Sequence, residues 1–403
     1  MSRPMPPGER TGMRVLYLTD SLSDLDGVGR YAVRLLTALQ QLEPKLEVQV
    51  LLARKHRPTS SDTPPHWKVD VALPPDYFYY MAPSRFWPSL AAATWRTWRA
   101  ARRCDLVHAI KDHPHSLVAV LGARLAGVPC ISTAHGTYSV LPLLDGRHVR
   151  LARWAYARFA ALISVSRYTA GRLQEVWRAT GRAPLPIEIV PNAVDAEPYL
   201  AERKVAGAPW RALRYTLSIG ELKERKGHHL ALGAWCKLAP QWPDLHHFIV
   251  GHRTGDAYQR RLEALVSESG SEQRVHFLGN VDEDSKIDLL QHAEAFLHTP
   301  VTASDGGFEG FGIVYLEAAA SGTPSLGTLG CGAEDAIEHE RTGLLVAPDE
   351  ASVQEGLRRL LADEALRARL GAAGRERAKQ SPWSDNARRV LGLYRAALAR
   401  AAR

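Results

Sequence analysis

Two glutamates stand seven residues apart in Glu309-Gly310-Phe311-Gly312-Ile313-Val314-Tyr315-Leu316-Glu317, just after Gly306 and Gly307. Glycines let backbone N–H groups come close to an anion, and a helix starting behind them adds the positive end of its dipole. Ile313, Leu316 and Ala320 share one face of such a helix. Glu317 then lies about a turn into it, where a carboxylate accepts both hydroxyls of a ribose. Glu309 precedes the helix, placed to accept hydroxyls of a sugar. That is the chemistry of a nucleotide-sugar. The same residues also fit a glycine turn before an ordinary helix with solvated glutamates.

A second group is Gly220-Glu221-Leu222-Lys223-Glu224-Arg225-Lys226-Gly227, between the apolar run Tyr215–Ile219 and the helical pattern His229–Leu238. A cation at a strand-to-helix turn is placed for a ligand, and Lys226 suits a diphosphate as a point charge. The alternative is a solvated charged turn. Three weaker signals accompany these. Gly27 and Gly29 lie between the first apolar run and a helical pattern, without completing G-x-G-x-x-G. His135 follows the run Cys130–Thr133, a place that serves a ligand or a purely structural contact. Ile189-Val190-Pro191-Asn192-Ala193-Val194-Asp195 ends the first half.

The elements that must position these residues alternate. Short apolar runs at Val15–Leu18, Val48–Leu52, Leu106–His108, Cys130–Thr133, Leu162–Val165 and Ile187–Val190 flank amphipathic stretches such as Tyr31–Leu42 and Leu117–Ala126. A second series runs through Leu213–Ile219, Phe248–Val250, Val275–Leu278, Ala295–Leu297, Ser325–Leu326 and Leu344–Val346. Three helical patterns close the chain. Such β-α alternation predicts parallel sheets covered by helices. The chain therefore reads as two doubly wound α/β domains in tandem, with ligands beyond the carboxyl ends of the strands and the cleft between the domains as the expected site. The polar stretch Asp195–Pro209 reads as a linker. His56–Pro88, rich in Pro, Tyr and Trp, breaks the pattern as a long loop, either a packed insertion or a binding loop.

Length and composition agree. The 403 residues suit two or three domains of ~150 residues. With 45% hydrophobic and 23% charged residues, the composition excludes a disordered chain. Cys104, Cys130, Cys236 and Cys331 form no C-x-x-C pair and no zinc pattern, which fits a reducing compartment. The first twelve residues lack an apolar core and read as a loose tail rather than a signal peptide. No stretch is long enough to span a membrane. A net charge of +8 favours an acidic partner such as nucleotide phosphates, an anionic membrane or nucleic acid.

In their order along the chain, these motifs resemble retaining glycosyltransferase family 4. The resemblance runs from about Met13 to the end. It takes in the glycine turn, His135-Gly136, Ser164-Val165-Ser166, Pro191–Asp195 and the Gly220…Lys226-Gly227 turn. It continues through Phe277-Leu278-Gly279, the E-x7-E motif with Ser321-Gly322-Thr323-Pro324, Gly330-Cys331-Gly332 with Asp335, and Thr342–Val346. It implies a GT-B fold, two Rossmann-like domains facing a central cleft. The implied domains are a flexible tail over 1–12, an N-terminal acceptor-side domain over 13–195, a linker over 196–210 and a nucleotide-sugar domain over 211–381. A C-terminal helix over 382–403 would cross back to the first domain.

The resemblance also assigns roles. It gives Glu317 the ribose, Glu309 the donor sugar and Lys226 the phosphates. The backbone of Gly310, Phe311 and Gly312 would face sugar and diphosphate. The amides of Gly27 and Gly29 would approach the diphosphate from the other side. The backbone around Leu278 to Val281 would form the base-binding loop, and His135 would stand near the transferred sugar. Glu309, Lys226 and His135 are thereby the implied catalytic residues. The chain departs from the family at Glu221, where an arginine is usual, at Asp335 for glutamate and at Cys331 for glycine. A carboxylate at 221 would repel the diphosphate, so Glu221 is expected to turn toward Arg225 or Lys223.

The implied reaction moves a hexose from a UDP- or GDP-sugar to an acceptor hydroxyl with retention, without a metal or other cofactor. The expected acceptor is a sugar or lipid-linked sugar, a glycolipid or cell-surface polysaccharide precursor. Two arginine-rich stretches without acids carry tryptophans and suit an anionic membrane. One is Ser84–Arg103, with Arg85, Arg96, Arg99, Arg102, Arg103, Trp87, Trp95 and Trp98. The other is Arg147–Phe159, with Arg147, Arg150, Arg153, Arg158, Trp154 and Tyr156. They also fit ordinary helices with solvated arginines and inward aromatics. The expected location is cytoplasmic, with a peripheral place on the inner membrane face. A donor-binding homologue without activity and a sugar-nucleotide epimerase are the competing readings. Nucleic acid is not expected, since no RNA-binding or helix-turn-helix motif is recognised.

Overall fold

Strands buried on both faces need apolar residues at almost every position, and such strands build parallel sheets. The computed structural model describes residues 12–54, 59–144 and 146–403. The tail expected over 1–12 lies outside them, Gly12 apart. The chain folds into two compact units. The first comprises 1–165, 170–190 and 383–403, and the second 166–169 and 191–382.

The strands of the first unit are β1 (Arg14–Thr19), β2 (Glu47–Ala53), β3 (Lys68–Leu73), β4 (Leu106–Ala109), β5 (Cys130–Ala134), β6 (Ala161–Ser164) and β7 (Ile187–Ile189). All pair in parallel, in the order β3-β2-β1-β4-β5-β6-β7. In the second unit β8 (Arg214–Ile219), β9 (Leu245–Val250), β10 (Val275–Gly279), β11 (Ala295–Leu297), β12 (Ser325–Thr328) and β13 (Gly343–Val346) form a parallel sheet. Its order is β10-β9-β8-β11-β12-β13. Each sheet is wound outward from a central pair, β1/β4 and β8/β11. Those pairs are the topological switch points where ligands of doubly wound sheets collect. Among the described residues, no helix is long and apolar enough to cross a membrane. The four cysteines are unpaired thiols.

The segment expected as a long loop over His56–Pro88 contains the edge strand β3. Its Val69 and Val71 are exposed to solvent, so the apolar alternation there does not mark a core. In the aromatic run after it, Phe78 and Tyr79 are buried against Phe86 and His113, while Tyr77 and Tyr80 stay exposed.

The stretch expected as a linker packs as part of the second unit. The backbone N–H of Arg203 donates to Gln291 Oε1 (2.8 Å), and Gln291 Nε2 donates to the carbonyls of Tyr199 and Ala201. Trp210 Nε1 and Arg211 both bond Asp288, which is fully buried. The last helix, Trp383–Ala401, belongs to the first unit. Its Tyr394 hydroxyl lies 2.6 Å from His108 Nδ1, and Trp383 meets Tyr31 edge to face. Burial, with His135 nearby, pushes His108 down to about 3, so this contact is made by a neutral imidazole.

Candidate active site

In the second unit, the turn after β8 and the loop after β11 both leave the switch point. They bring Lys226, partly buried, together with the buried Glu309 as an ion pair. Two more nitrogens converge on the same carboxylate oxygen. Arg225 Nη1 lies at 3.6 Å and His298 Nε2 at 3.4 Å. Burial alone would raise the Glu309 carboxyl, but Lys226, His298 and Arg225 outweigh it and hold it well below the usual range. Glu309 is therefore an anion held beside two cations.

The backbone of this loop is fixed by close contacts. Gly312 caps the helix Ile313–Ser321 with φ 81°, in the left-handed region, and a Cβ there would meet Tyr315 Cδ2 at 2.7 Å. Glu309 O accepts from Gly332 N–H (2.9 Å), and a Cβ on Gly332 would stand 2.1 Å from Gly310 O. Gly310 and Phe311 are buried within this arrangement. The helix starts directly behind the loop that carries Glu309, so the positive end of its dipole lies next to that loop.

Glu317 lies on that helix and is buried. Its partner, Lys286, is also buried. Lys286 Nζ is 3.0 Å from Glu317 Oε1, 2.7 Å from Glu283 Oε1 and 3.2 Å from the Tyr199 hydroxyl. This residue is absent from the sequence reading. A lysine in Asp282-Glu283-Asp284-Ser285-Lys286 looks like one more solvated charge, and only its place before the apolar Ile287, Leu289 and Leu290 hints at burial. Lys286 sits on the helix Glu283–His292, which Asp282 caps by accepting from Ser285 N–H. Leu278 and Val281, the expected base-lining residues, stand half-buried just before that helix. Leu278 falls where β10 slips register against β9, an irregularity that re-aims a side chain. One short segment thus carries the expected base loop and the cation paired with Glu317.

Glu221 turns to its own neighbours, as expected. Its Oε2 lies 3.1 Å from Lys223 Nζ and 3.5 Å from Arg225 Nη2.

His135, Gly27 and Gly29 belong to the first unit. His135 Nε2 donates to the Ile110 carbonyl at 2.8 Å, and its ring meets Tyr31 edge to face. Burial lowers its pKa. A carbonyl only accepts, so the neutral ring carries its proton on Nε2 and presents Nδ1 as an acceptor. Gly29 requires a correction. Its N–H is taken by the N-cap Asp26 at 2.7 Å, so it has no donor left for a diphosphate. Gly29 is glycine because a Cβ would stand 2.3 Å from Ser23 O. Gly27 opens the same helix, and a Cβ there would meet nothing within 4 Å, which leaves its backbone approachable.

Glu317→Ala should weaken binding of nucleoside diphosphate by about 1.5–3 kcal/mol, the usual worth of a hydrogen bond to a charged group. Calorimetry with UDP and GDP measures this, and unchanged affinity would remove Glu317 from the site.

Comparison with known proteins accords with this geometry. The model of "Glycosyltransferase Family 4" matches residues 25–198, and that of "Glycosyl transferases group 1" matches 211–377. A phosphatidyl-myo-inositol mannosyltransferase of Mycobacterium tuberculosis is 28% identical over 332 residues, 80% of this chain and 82% of that one. A D-inositol 3-phosphate glycosyltransferase of Corynebacterium urealyticum is 31% identical over 222 residues, 52% of this chain and 51% of that one. Among solved structures, the Anabaena protein HepE with UDP and glucose superposes with a TM-score of 0.75 at 19% identity, covering 95% of this chain and 100% of that one. Sucrose-phosphate synthase from Thermosynechococcus elongatus gives 0.73 at 21% identity, covering 96% and 99%. At these identities the structural likeness concerns the fold. Matched by family models in both halves and by these relatives along most of its length, the chain belongs to glycosyltransferase family 4 and has the GT-B fold.

Proposed function

We propose that this chain moves a sugar from a UDP- or GDP-sugar to the hydroxyl of a glycolipid or polysaccharide precursor, with retention of configuration and without a metal. The observation that carries the reading is the pair of carboxylates flanking one helix start. Each is buried against its own lysine, Glu309 with Lys226 and Glu317 with Lys286. Glu317 then holds the ribose. Lys226 and the helix N-terminus stabilise the charge that develops on the leaving diphosphate, a task for fixed cations and dipoles. Glu309 accepts sugar hydroxyls, and His135 offers Nδ1 to a hydroxyl of the transferred sugar. The mannosyltransferase relative is named for a phosphatidyl-inositol acceptor, which supports a lipid-linked one here.

The test is nucleoside-diphosphate release from each sugar nucleotide with a membrane glycolipid extract as acceptor. Release should require the acceptor, persist in EDTA and give a product with the donor's anomeric configuration by NMR. Tight nucleotide binding without release would instead identify a non-catalytic homologue, and conversion of the donor without acceptor an epimerase.

The same reading puts the first unit on an anionic membrane at its inner face. The helix Pro83–Ala101 leaves Trp87 and Trp95 more than half exposed, 53% and 52%, and Leu125 of the helix His115–Ala126 is 64% exposed. With Leu90, Ala91, Thr94, Trp98 and Leu121 they line an open apolar groove of ≈ 540 Å³. Arg85, Arg99, Arg102, Arg103 and Arg124 are exposed on the same two helices or just after them, and neither helix carries an acid. Arg96 and Arg153 are turned to other work, donating to the Ala72 and Leu143 carbonyls.

The protein should sediment with phosphatidylglycerol vesicles and release at high salt. Each arginine is worth about 1 kcal/mol near an anionic surface, so replacing Arg99, Arg102, Arg103 and Arg150 by Gln should end binding. Equal sedimentation with neutral vesicles would contradict the proposal.

A further inference from the structure

The turn Gly220–Gly227 holds two partly buried cations beside Glu309. Lys226 pairs with Glu309. Arg225 spans two carboxylates, with Nη1 3.6 Å from Glu309 Oε2 and Nη2 3.5 Å from Glu221 Oε2. We propose that Arg225 is the second cation of the diphosphate subsite, and that Glu221 acts as a positioning residue that holds its guanidinium there. This rests on the donor-site reading above.

The backbone leaves Arg225 little choice of place. Val301 N–H donates to Arg225 O at 3.1 Å. Glu224 accepts from both the N–H and the hydroxyl of Ser304. Gly227, at φ 68°, lies so close to the next loop that a Cβ would stand 1.7 Å from Thr299 O. The turn is thus bound at three points to the loop that carries Glu309. The arginine stem runs alongside that loop, since a Cβ on Gly307 would stand in ordinary contact with Arg225 Cδ at 3.5 Å.

The charges fit the assignment. Lys223, Arg225 and Lys226 stand against Glu221 and Glu309. Two of the cations meet at one oxygen, Glu309 Oε2, so an anionic oxygen arriving beside Lys226 is within reach of Arg225 as well. A guanidinium offers several donors in one plane, so it keeps its bond to Glu221 while engaging a phosphate. Glu221 remains an anion throughout. Burial works against its charge, but Lys223, Lys226 and Arg225 push it down to about 2. A carboxylate in this turn therefore supports the site through the arginine it holds, and does not face the phosphates itself.

Calorimetry on the full chain tests this, with UDP and GDP as probes and UMP and GMP as comparators. Arg225→Gln should weaken diphosphate binding about tenfold and leave monophosphate binding nearly unchanged. Arg225→Lys should retain most of the affinity. Glu221→Gln should cause a smaller loss of the same kind. Arg225→Glu should abolish diphosphate binding, and adding Glu221→Arg to it should restore much of it by exchanging the two charges. Diphosphate affinity unchanged in Arg225→Gln, while Lys226→Ala loses it, would overturn the role of Arg225 and leave the donor site standing. Failure of the exchanged pair to recover binding would overturn the tether. A wild-type chain that binds no diphosphate would remove the donor-site reading, and this inference with it.

Discussion

Replacing Lys226 by alanine should weaken nucleoside-diphosphate binding more than any other single truncation to alanine in the site. Lys226 is partly buried against the buried Glu309, which limits solvent access to the pair. Truncating one member of such a pair costs about 2–5 kcal/mol, because the other charge is left without its partner. Here Arg225 and His298 remain near Glu309, which limits the damage to the fold. It does not restore a cation at the Lys226 position, where the proposed reaction develops charge on the leaving group. Turnover should fall by roughly 10²–10³, as when one donor to a developing anion is removed. Titration with the diphosphate and the monophosphate of the same nucleoside separates this from a general loss of structure, which would weaken both equally.

Lys286→Met should have the largest effect on stability. It leaves Glu317 a buried carboxylate without its cation, a change worth about 3–5 kcal/mol. Glu283 is half exposed and turns to water, so Glu317 bears the cost. Adding Glu317→Gln removes the stranded charge and should recover most of the stability. Nucleotide binding should stay weakened, because on the proposed reading Glu317 is the carboxylate that holds the ribose. Chemical denaturation of the single and double variants, followed by calorimetry, distinguishes these outcomes. Equal stability of Lys286→Met and wild type would show that the buried pair is not what holds Glu317.

The contrast between these two lysines shows what the sequence made legible. Lys226 lies in a charged turn directly after an apolar run, so its place follows from local pattern alone. The motif Glu309–Glu317 is likewise contained in one loop and one helix start. Lys286 reaches Glu317 across 31 positions because two helices pack side by side, a contact that no spacing announces. His298 is similar. It ends β11 as His135 ends β5, but its approach to Glu309 depends on how the following loop folds back.

The strands followed from the same logic. Those buried on both faces read as unbroken apolar runs, as in Val15–Leu18 and Leu106–His108. β3 did not, because an edge strand with Val69 and Val71 in solvent has no core to select its residues. The expected linker looked patternless because its anchors are single residues, Trp210 and Arg211, held by Asp288 far along the chain. The signal that Gly29 is capped was present in the sequence, since Asp26 stands three residues before it.

The most direct measurement of the central claim is an experimental structure of the protein with a bound nucleoside diphosphate. The account predicts the ribose hydroxyls on the Glu317 carboxylate, the diphosphate against Lys226 and the backbone of Gly310 to Gly312, and the base beside Leu278 and Val281. A nucleotide bound elsewhere, or one in this unit whose ribose leaves Glu317 paired only with Lys286, would contradict it.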